Sequence, residues 1–287
     1  MGGEGVGWGM IRFGLFCALA ISVQAAPLVV DDAKLIRQVQ KELGKIGDDG
    51  KEMSGEELAK AVKEAPKTCE VELKGDFPTS ASYADLTRSV FALTSVYKCE
   101  KCDKWHVGGT ASAWCLSEDG VMVTNYHVLE GAKGAVYGVV SRDGEIWPVT
   151  EVLAADQAKD LAVFRVKGEG FQRLALGKAA EVGDKIRVIS HPNRKFFLQT
   201  SGEVARYHVS RTRKSKAGSV RMTVTADYAK GSSGGPVFNE RGEVVGVVAN
   251  TQSIYYAKDE DGDQENLQMV VKDTVPVGAV KKMLDVE

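Results

Sequence analysis

Three short segments carry residue types that can do chemistry together. Val123-Thr124-Asn125-Tyr126-His127-Val128 puts a histidine at the end of an apolar strand. Lys159-Asp160-Leu161-Ala162-Val163 puts an acid immediately before another, and Gly231-Ser232-Ser233-Gly234-Gly235-Pro236 puts a serine in a glycine-rich turn. Taken singly, each has an ordinary account: a satisfied core histidine, a strand-start aspartate, a loop. As a set they meet one chemical demand. A serine hydroxyl is a poor nucleophile at neutral pH and needs an imidazole to take its proton as it attacks a carbonyl. The imidazole needs a carboxylate on its far nitrogen, which fixes the tautomer and stabilises the charged ring. The tetrahedral oxyanion needs backbone N–H groups aimed at it, and glycine lets the chain turn them inward without a Cβ clash. The amides of Gly231 and Ser233 stand where those donors are wanted.

The elements that must position these groups are legible as texture. From Tyr83 onward, short β-branched and aromatic runs alternate with Gly, Asp and Asn. Six runs, Val90 to Lys98, Val107 to Leu116, Val121 to Asn125, Ala135 to Val140, Ile146 to Leu153 and Leu161 to Val166, predict one set of strands. Lys185 to Ser190, Phe196 to Tyr207, Val220 to Thr225, Pro236 to Asn239, Val244 to Thr251 and Leu267 to Val271 predict a second set. Two sets of six point to an all-β fold of two six-stranded antiparallel barrels, which leave no long exposed edge. A final helix is expected over residues 275–286. Upstream, Leu35, Ile36, Val39 and Leu43 fall at helical spacing within Asp31 to Leu43. A second helix follows Ser54, whose side chain can cap while Glu57 reaches back. Gly44 to Gly50 is expected to separate the two, and Pro66 to Ser82 to serve as a linker. The expected organisation is a signal peptide (1–25), a helical leader and linker (26–82), and a catalytic region (83–287). Barrel one covers about 85–178 and barrel two about 181–274 of that region. At 287 residues, 44% hydrophobic and 26% charged, the chain has a globular composition, which excludes full disorder and a multi-span membrane protein. A net charge of -2 gives no overall field toward nucleic acid or anionic lipid.

The order His, Asp, Ser, the strings TNYHV, DLAVF and GSSGGP, and the two-barrel strand pattern resemble the trypsin-like (chymotrypsin-fold) serine proteases, in particular their HtrA/Deg-like branch. The resemblance covers about residues 85–284. It implies a serine endopeptidase acting on proteins or peptides without cofactor or metal. His127 would be general base, Asp160 its orienting acid, Ser233 the nucleophile, and Gly231 with Ser233 the oxyanion hole. Two departures stand out. Pancreatic-type relatives carry Asp before the nucleophile, to pair with a freshly cut N-terminus; Ser232 here cannot make that ion pair. HtrA/Deg proteins usually continue into a PDZ module, and none is expected here. Asp227 lies six residues before Ser233, the offset at which trypsin-like enzymes hold the acid that binds Arg or Lys, although it also suits a turn or strand-end role. A non-catalytic or ligand-activated envelope binding module on the same fold is the rival reading.

Arg12, the apolar run Phe13 to Val23 and the small pair Ala25-Ala26 follow the grammar of a cleaved export signal, with Met10 as the better start, so a secreted or periplasmic protein without membrane anchor is expected. The exported chain keeps Cys69, Cys99, Cys102 and Cys115. Cys99 to Cys102 is half a zinc knuckle with His106 nearby. A strand from Trp105 to Leu116 would carry Cys115 roughly 30 Å from that turn, beyond a shared metal. A Cys99–Cys102 link, with Cys69 bonded to Cys115, is preferred; metal and free thiols are the other states. The basic stretch from Arg206 to Lys216 and the acidic Lys258 to Glu265 are both expected as solvated hairpin loops.

Overall fold

The computed structural model describes residues 1–3, 27–212, 215–259 and 261–286. The apolar run, cleavage point, Cys17 and Met10 start of the expected export signal lie outside the described residues. Among those residues no helix is long and apolar enough to cross a membrane.

Helix α1 (Asp32–Asp49) is capped by Asp31, whose side chain accepts from the Lys34 amide. Helix α2 (Gly55–Glu64) starts in a complete Ser54/Glu57 capping box. After the short helix α3 (Tyr83–Leu86), barrel one is built from β1 (Val90–Lys98), β2 (Trp105–Ser117), β3 (Val121–Thr124), β4 (Val136–Val140), β5 (Ile146–Asp156) and β6 (Leu161–Val166). A short helix α4 (Tyr126–Glu130) follows β3. Barrel two uses β7 (Lys185–Ser190), β8 (Leu198–Thr212), β9 (Ser215–Val224), β10 (Pro236–Phe238), β11 (Val244–Lys258) and β12 (Gln264–Pro276), and helix α5 (Val277–Leu284) follows. Both sets close: β1-β2-β3-β6-β5-β4, and in the second β7-β8-β9-β12-β11-β10 read in the reverse direction. The fold is therefore the expected pair of six-stranded antiparallel barrels with a C-terminal helix.

One apolar cluster joins the barrels. Trp114, Leu116 and Val123 of barrel one pack with Ile189, Phe238 and Val247 of barrel two, and Val280 and Met283 of α5 close the seam. Burial of this shared surface fixes the barrels against each other at roughly 25 cal/mol per Å² removed from water.

Two expectations are corrected. The basic stretch is not a plain loop, since β8 reaches Thr212 and β9 starts at Ser215, and the arms of the second hairpin run further than expected: β11 reaches Lys258 and β12 starts at Gln264, with the acidic stretch as the loop between them. Ladder bonds between long antiparallel arms need no apolar face, so the sequence pattern gives no signal for them. Nor do the glycines after Leu43 break α1, which runs to Asp49. A Cβ on Gly44 would lie 2.7 Å from Trp105 Cδ1, and one on Gly47 2.7 Å from Trp105 Cη2. The bare helix face is the seat of that indole. Next to it Leu35, Val39 and Leu43 share a cluster with Val96 and Val136 of barrel one and with Phe197, while Leu58 and Val62 of α2 pack into the barrel-one core. The segment between α2 and α3 is held by backbone bonds: the Ala155 amide donates to Pro66 O, the Cys69 amide to Met283 O and the Glu118 amide to Lys74 O.

Gly44→Ala separates helix propensity from packing. Alanine is the better helix former by about 1 kcal/mol, whereas a methyl forced onto Trp105 costs about 1–3 kcal/mol. Urea unfolding is expected to show net destabilisation; a gain in stability would mean that α1 does not seat on this ring.

Candidate active site

His127, Asp160 and Ser233, distant in sequence, meet at the mouth of the seam. His127 lies in α4, one residue into the helix that follows β3, rather than on the strand itself. Its Nδ1 is 2.9 Å from Asp160 Oδ2 and 3.0 Å from Oδ1, and its backbone N–H also donates to Oδ1 at 3.0 Å. The carboxylate thus grips the ring and the chain that bears it. Asp160 stands in the turn between β5 and β6 at φ 61, an uncommon conformation that Asp tolerates better than most residues. The Asn125 amide group donates to its carbonyl at 2.9 Å and holds the turn against β3. With the Nδ1 hydrogen facing the acid, the Nε2 lone pair faces Ser233 Oγ at 3.0 Å. The imidazole side chain is 47% exposed and the acid 19%, so the ring is open to an incoming substrate while its partner is sheltered.

The turn bearing Ser233 is shaped from below. Gly231 has φ 102, and a Cβ there would lie 2.5 Å from His191 O, so a side chain is excluded twice over. The Asn193 amide donates to Lys230 O at 2.7 Å, which fixes the orientation of that carbonyl. Among the described residues, no protein acceptor takes the amide hydrogens of Gly231 or Ser233. Ser232 is fully buried. The Ser190 hydroxyl donates to its Oγ at 3.0 Å, a neutral pair where pancreatic-type relatives place an ion pair.

Several residues that positioned nothing in the sequence reading hold this turn. The Ser112 amide donates to Ser233 O at 2.8 Å, and its hydroxyl donates to Gly231 O at 3.1 Å. Ser112 Oγ also accepts from the His191 amide, and Ser112 O accepts from the Thr124 hydroxyl. His191 itself is fully buried. Its Nδ1 accepts from the Phe197 amide, and desolvation pushes its pKa down from 6.5 to about 3. Apart from Thr124, which lies in the TNYHV string, they sit in no recognisable motif; a serine inside a strand carries no signal of its partner's identity.

A cavity of about 210 Å³ adjoins the pair, lined by Thr110, Ala111, His127, Lys230, Gly231 and Ser233 among others. Asp227 is elsewhere. Its side chain is 84% exposed, and Lys272 Nζ meets its carboxylate at 2.8 Å. A specificity acid works by being enclosed and unpaired, and Asp227 is neither. The cysteines also depart from expectation: all four are free thiols, and neither the Cys99–Cys102 nor the Cys69–Cys115 bond is present. Cys115 belongs to the barrel-one core, whereas Cys69 packs on the seam cluster. Burial pushes the Cys115 thiol up to about 12. Cys102 Sγ turns instead to His106 Nε2 at 3.1 Å.

Residues 111–247, which span His127, Asp160 and Ser233, match the trypsin-like peptidase domain as a protein family. That match covers just under half of the chain. The chain is 32% identical over 140 residues to a probable periplasmic serine endoprotease, DegP-like, of Hahella chejuensis, covering 48% of this chain and 29% of that relative. It is also 32% identical over 133 residues to the anti-sigma-I factor RsgI9 of Acetivibrio thermocellus, covering 45% of this chain and 18% of that one. The matched part of the chain thus spans under a third of the length of these curated relatives. In structure, the chain is similar to an HtrA-type protease with tripeptide, at a TM-score of 0.55 and 19% identity over 71% of this chain and 62% of that one. That likeness is one of fold.

Burial of His191 makes the stability of the fold depend on pH. Its folded pKa lies below the unfolded value, so the unfolded chain binds the extra proton between about pH 3 and pH 6.5. The contribution is full above pH 6.5 and falls by up to about 1.4 kcal/mol per pH unit as pH drops through that window. Stability curves for the parent and His191→Phe are expected to converge as pH falls from 6.5 toward 4. Parallel curves would mean that the ring takes up its proton in the folded protein.

Proposed function

We propose that the chain is an exported serine endopeptidase that hydrolyses proteins through an acyl-enzyme, with Ser233 as nucleophile, His127 as base and Asp160 as the acid that orients it. The observation that carries this reading is the unbroken line from carboxylate to imidazole to hydroxyl, with both hydrogen bonds near 3.0 Å. A base must reach the proton it takes, at about 2.6–3.2 Å.

As Ser233 Oγ attacks the peptide carbonyl carbon, its proton passes to His127 Nε2, and Asp160 stabilises the imidazolium without taking the proton itself. The carbonyl π electrons move onto oxygen, where the Gly231 and Ser233 amides donate to the oxyanion. Collapse of this tetrahedral species breaks the C–N bond, and the Nε2 proton leaves with the amine. Water then attacks the ester by the same route, which frees the acid and restores the hydroxyl. The chemistry calls on no metal or cofactor. The proposed catalytic region is 83–287, with 26–82 as a leader packed on barrel one. Export is supported by the charged start, apolar run and small-residue exit of residues 12–26, and by relatives whose names call them periplasmic. Asp227, paired with Lys272, is not proposed as a determinant of basic-residue cleavage.

Fluorophosphonate labelling and hydrolysis of an unfolded protein substrate test the reading together. Ser233→Ala is expected to abolish labelling, and Ser233→Ala, His127→Ala and Asp160→Asn each to lower kcat by about 10⁴-fold or more. A mature chain that neither labels nor cleaves, with or without added peptide, would be a binding module. For Asp227→Ala, a peptide library is expected to return the parent's cleavage preferences; loss of cuts after Arg or Lys would reinstate the pocket acid.

A further inference from the structure

The turn joining β1 and β2 brings Cys99 Sγ, Cys102 Sγ and a ring nitrogen of His106 all within 4.8 Å of one another. We propose that this cluster is a binding site for a thiophilic divalent cation, zinc by its ligand chemistry. The site is distinct from the His127–Ser233 pair and independent of the peptidase reading.

The geometry is that of a zinc site before the ion enters. Tetrahedral zinc holds sulfur at about 2.3 Å and imidazole nitrogen at about 2.0–2.1 Å, which leaves ligand atoms roughly 3.5–4 Å apart. The present separations, all within 4.8 Å, stand close to those. The turn is already wound for the purpose. The Cys99 amide donates to Lys104 O and the Asp103 amide to Cys99 O, both at 2.9 Å, and Asp103 takes φ 50. The Lys101 and Cys102 amides and the Cys102 side chain hydrogen-bond to Cys99 sulfur and hold it in place. His106 is fixed from the side. It pairs across the ladder with Tyr97, and the two rings stack at 5.6 Å and 24°. Two thiolates and a neutral imidazole balance the charge of a divalent ion. Cys102 is exposed, so a fourth position lies open to water.

The ion would join the turn to the leader. His106 is next to Trp105, whose indole fills the space above Gly44 and Gly47 of α1. Lys98, at the other foot of the turn, reaches Asp103 at 3.4 Å and Asp48 of α1 at 3.8 Å. Binding replaces two S–H bonds by two S–metal bonds and releases up to two protons, so affinity falls as pH falls.

The test uses the full exported chain, isolated without chelator, and reads nothing from hydrolysis. Expected are one zinc per chain by elemental analysis and, after exchange for cobalt, a thiolate-to-cobalt charge-transfer band with the intense visible absorption of a tetrahedral ion. Cys102→Ser should remove the band and His106→Ala should weaken cobalt binding about tenfold or more, while Cys115→Ser leaves both unchanged. Chelation should lower the melting temperature of the parent and leave that of Cys102→Ser unmoved. The proposal is overturned by a reduced chain that takes up neither metal, by binding that survives Cys102→Ser, or by a Cys99–Cys102 disulfide in the isolated chain with no zinc retained.

Discussion

Ser112 is the hinge pin of the molecule. A strand residue of barrel one, it donates its amide to Ser233 O and its hydroxyl to Gly231 O, so the turn of barrel two that bears the proposed nucleophile is hung from the barrel that bears His127 and Asp160. Apolar packing between the barrels is non-directional and sets no angle, so these bonds supply the direction it lacks. Buried hydrogen bonds are individually modest, but each lost partner leaves a desolvated group costing about 1–3 kcal/mol. That cost makes the register between the barrels unique. Thr124 secures Ser112 from one side and His191 from the other, so the network extends from the strand beneath His127 to the loop beneath Gly231.

The same economy governs His191. Its ring is buried where a proton would have no counter-ion, and it supplies an acceptor to the Phe197 amide and a carbonyl against which Gly231 turns. Phe197 also belongs to the cluster that includes Leu43 of α1. The leader helix and the oxyanion turn therefore share a wall.

Much of the fold was legible because alternation is a direct imprint of a half-buried strand. β1, β6 and β7 begin and end where the pattern does, and Ser89, Asp160 and Asp184 mark their starts. The long arms of β8, β9, β11 and β12 were not. Their outer halves stand in water, so Tyr256, Leu267 and Met269 are exposed and hydropathy has no side to report. α1 was cut short in the reading because Gly44 and Gly47 are poor helix formers, and only the position of Trp105 explains them. At the site, the strings around His127, Asp160 and Ser233 announced themselves by chemistry, since few other combinations of groups activate a hydroxyl. Ser112, Ser190 and His191 did not, because what they do depends on groups that are up to 119 positions away. Asp227 was singled out by offset alone, and offset does not tell whether a carboxylate has found a lysine.

The two barrels repeat one order of strand neighbours, yet they divide the reactive groups unequally: acid and ring stand in the first copy, alcohol in the second. Neither copy is chemically complete. The reactivity proposed for the molecule is a property of the plane along which the copies lean on each other. A substitution anywhere on that plane that tilts one copy by a fraction of an ångström would silence or tune it while leaving all three groups in place.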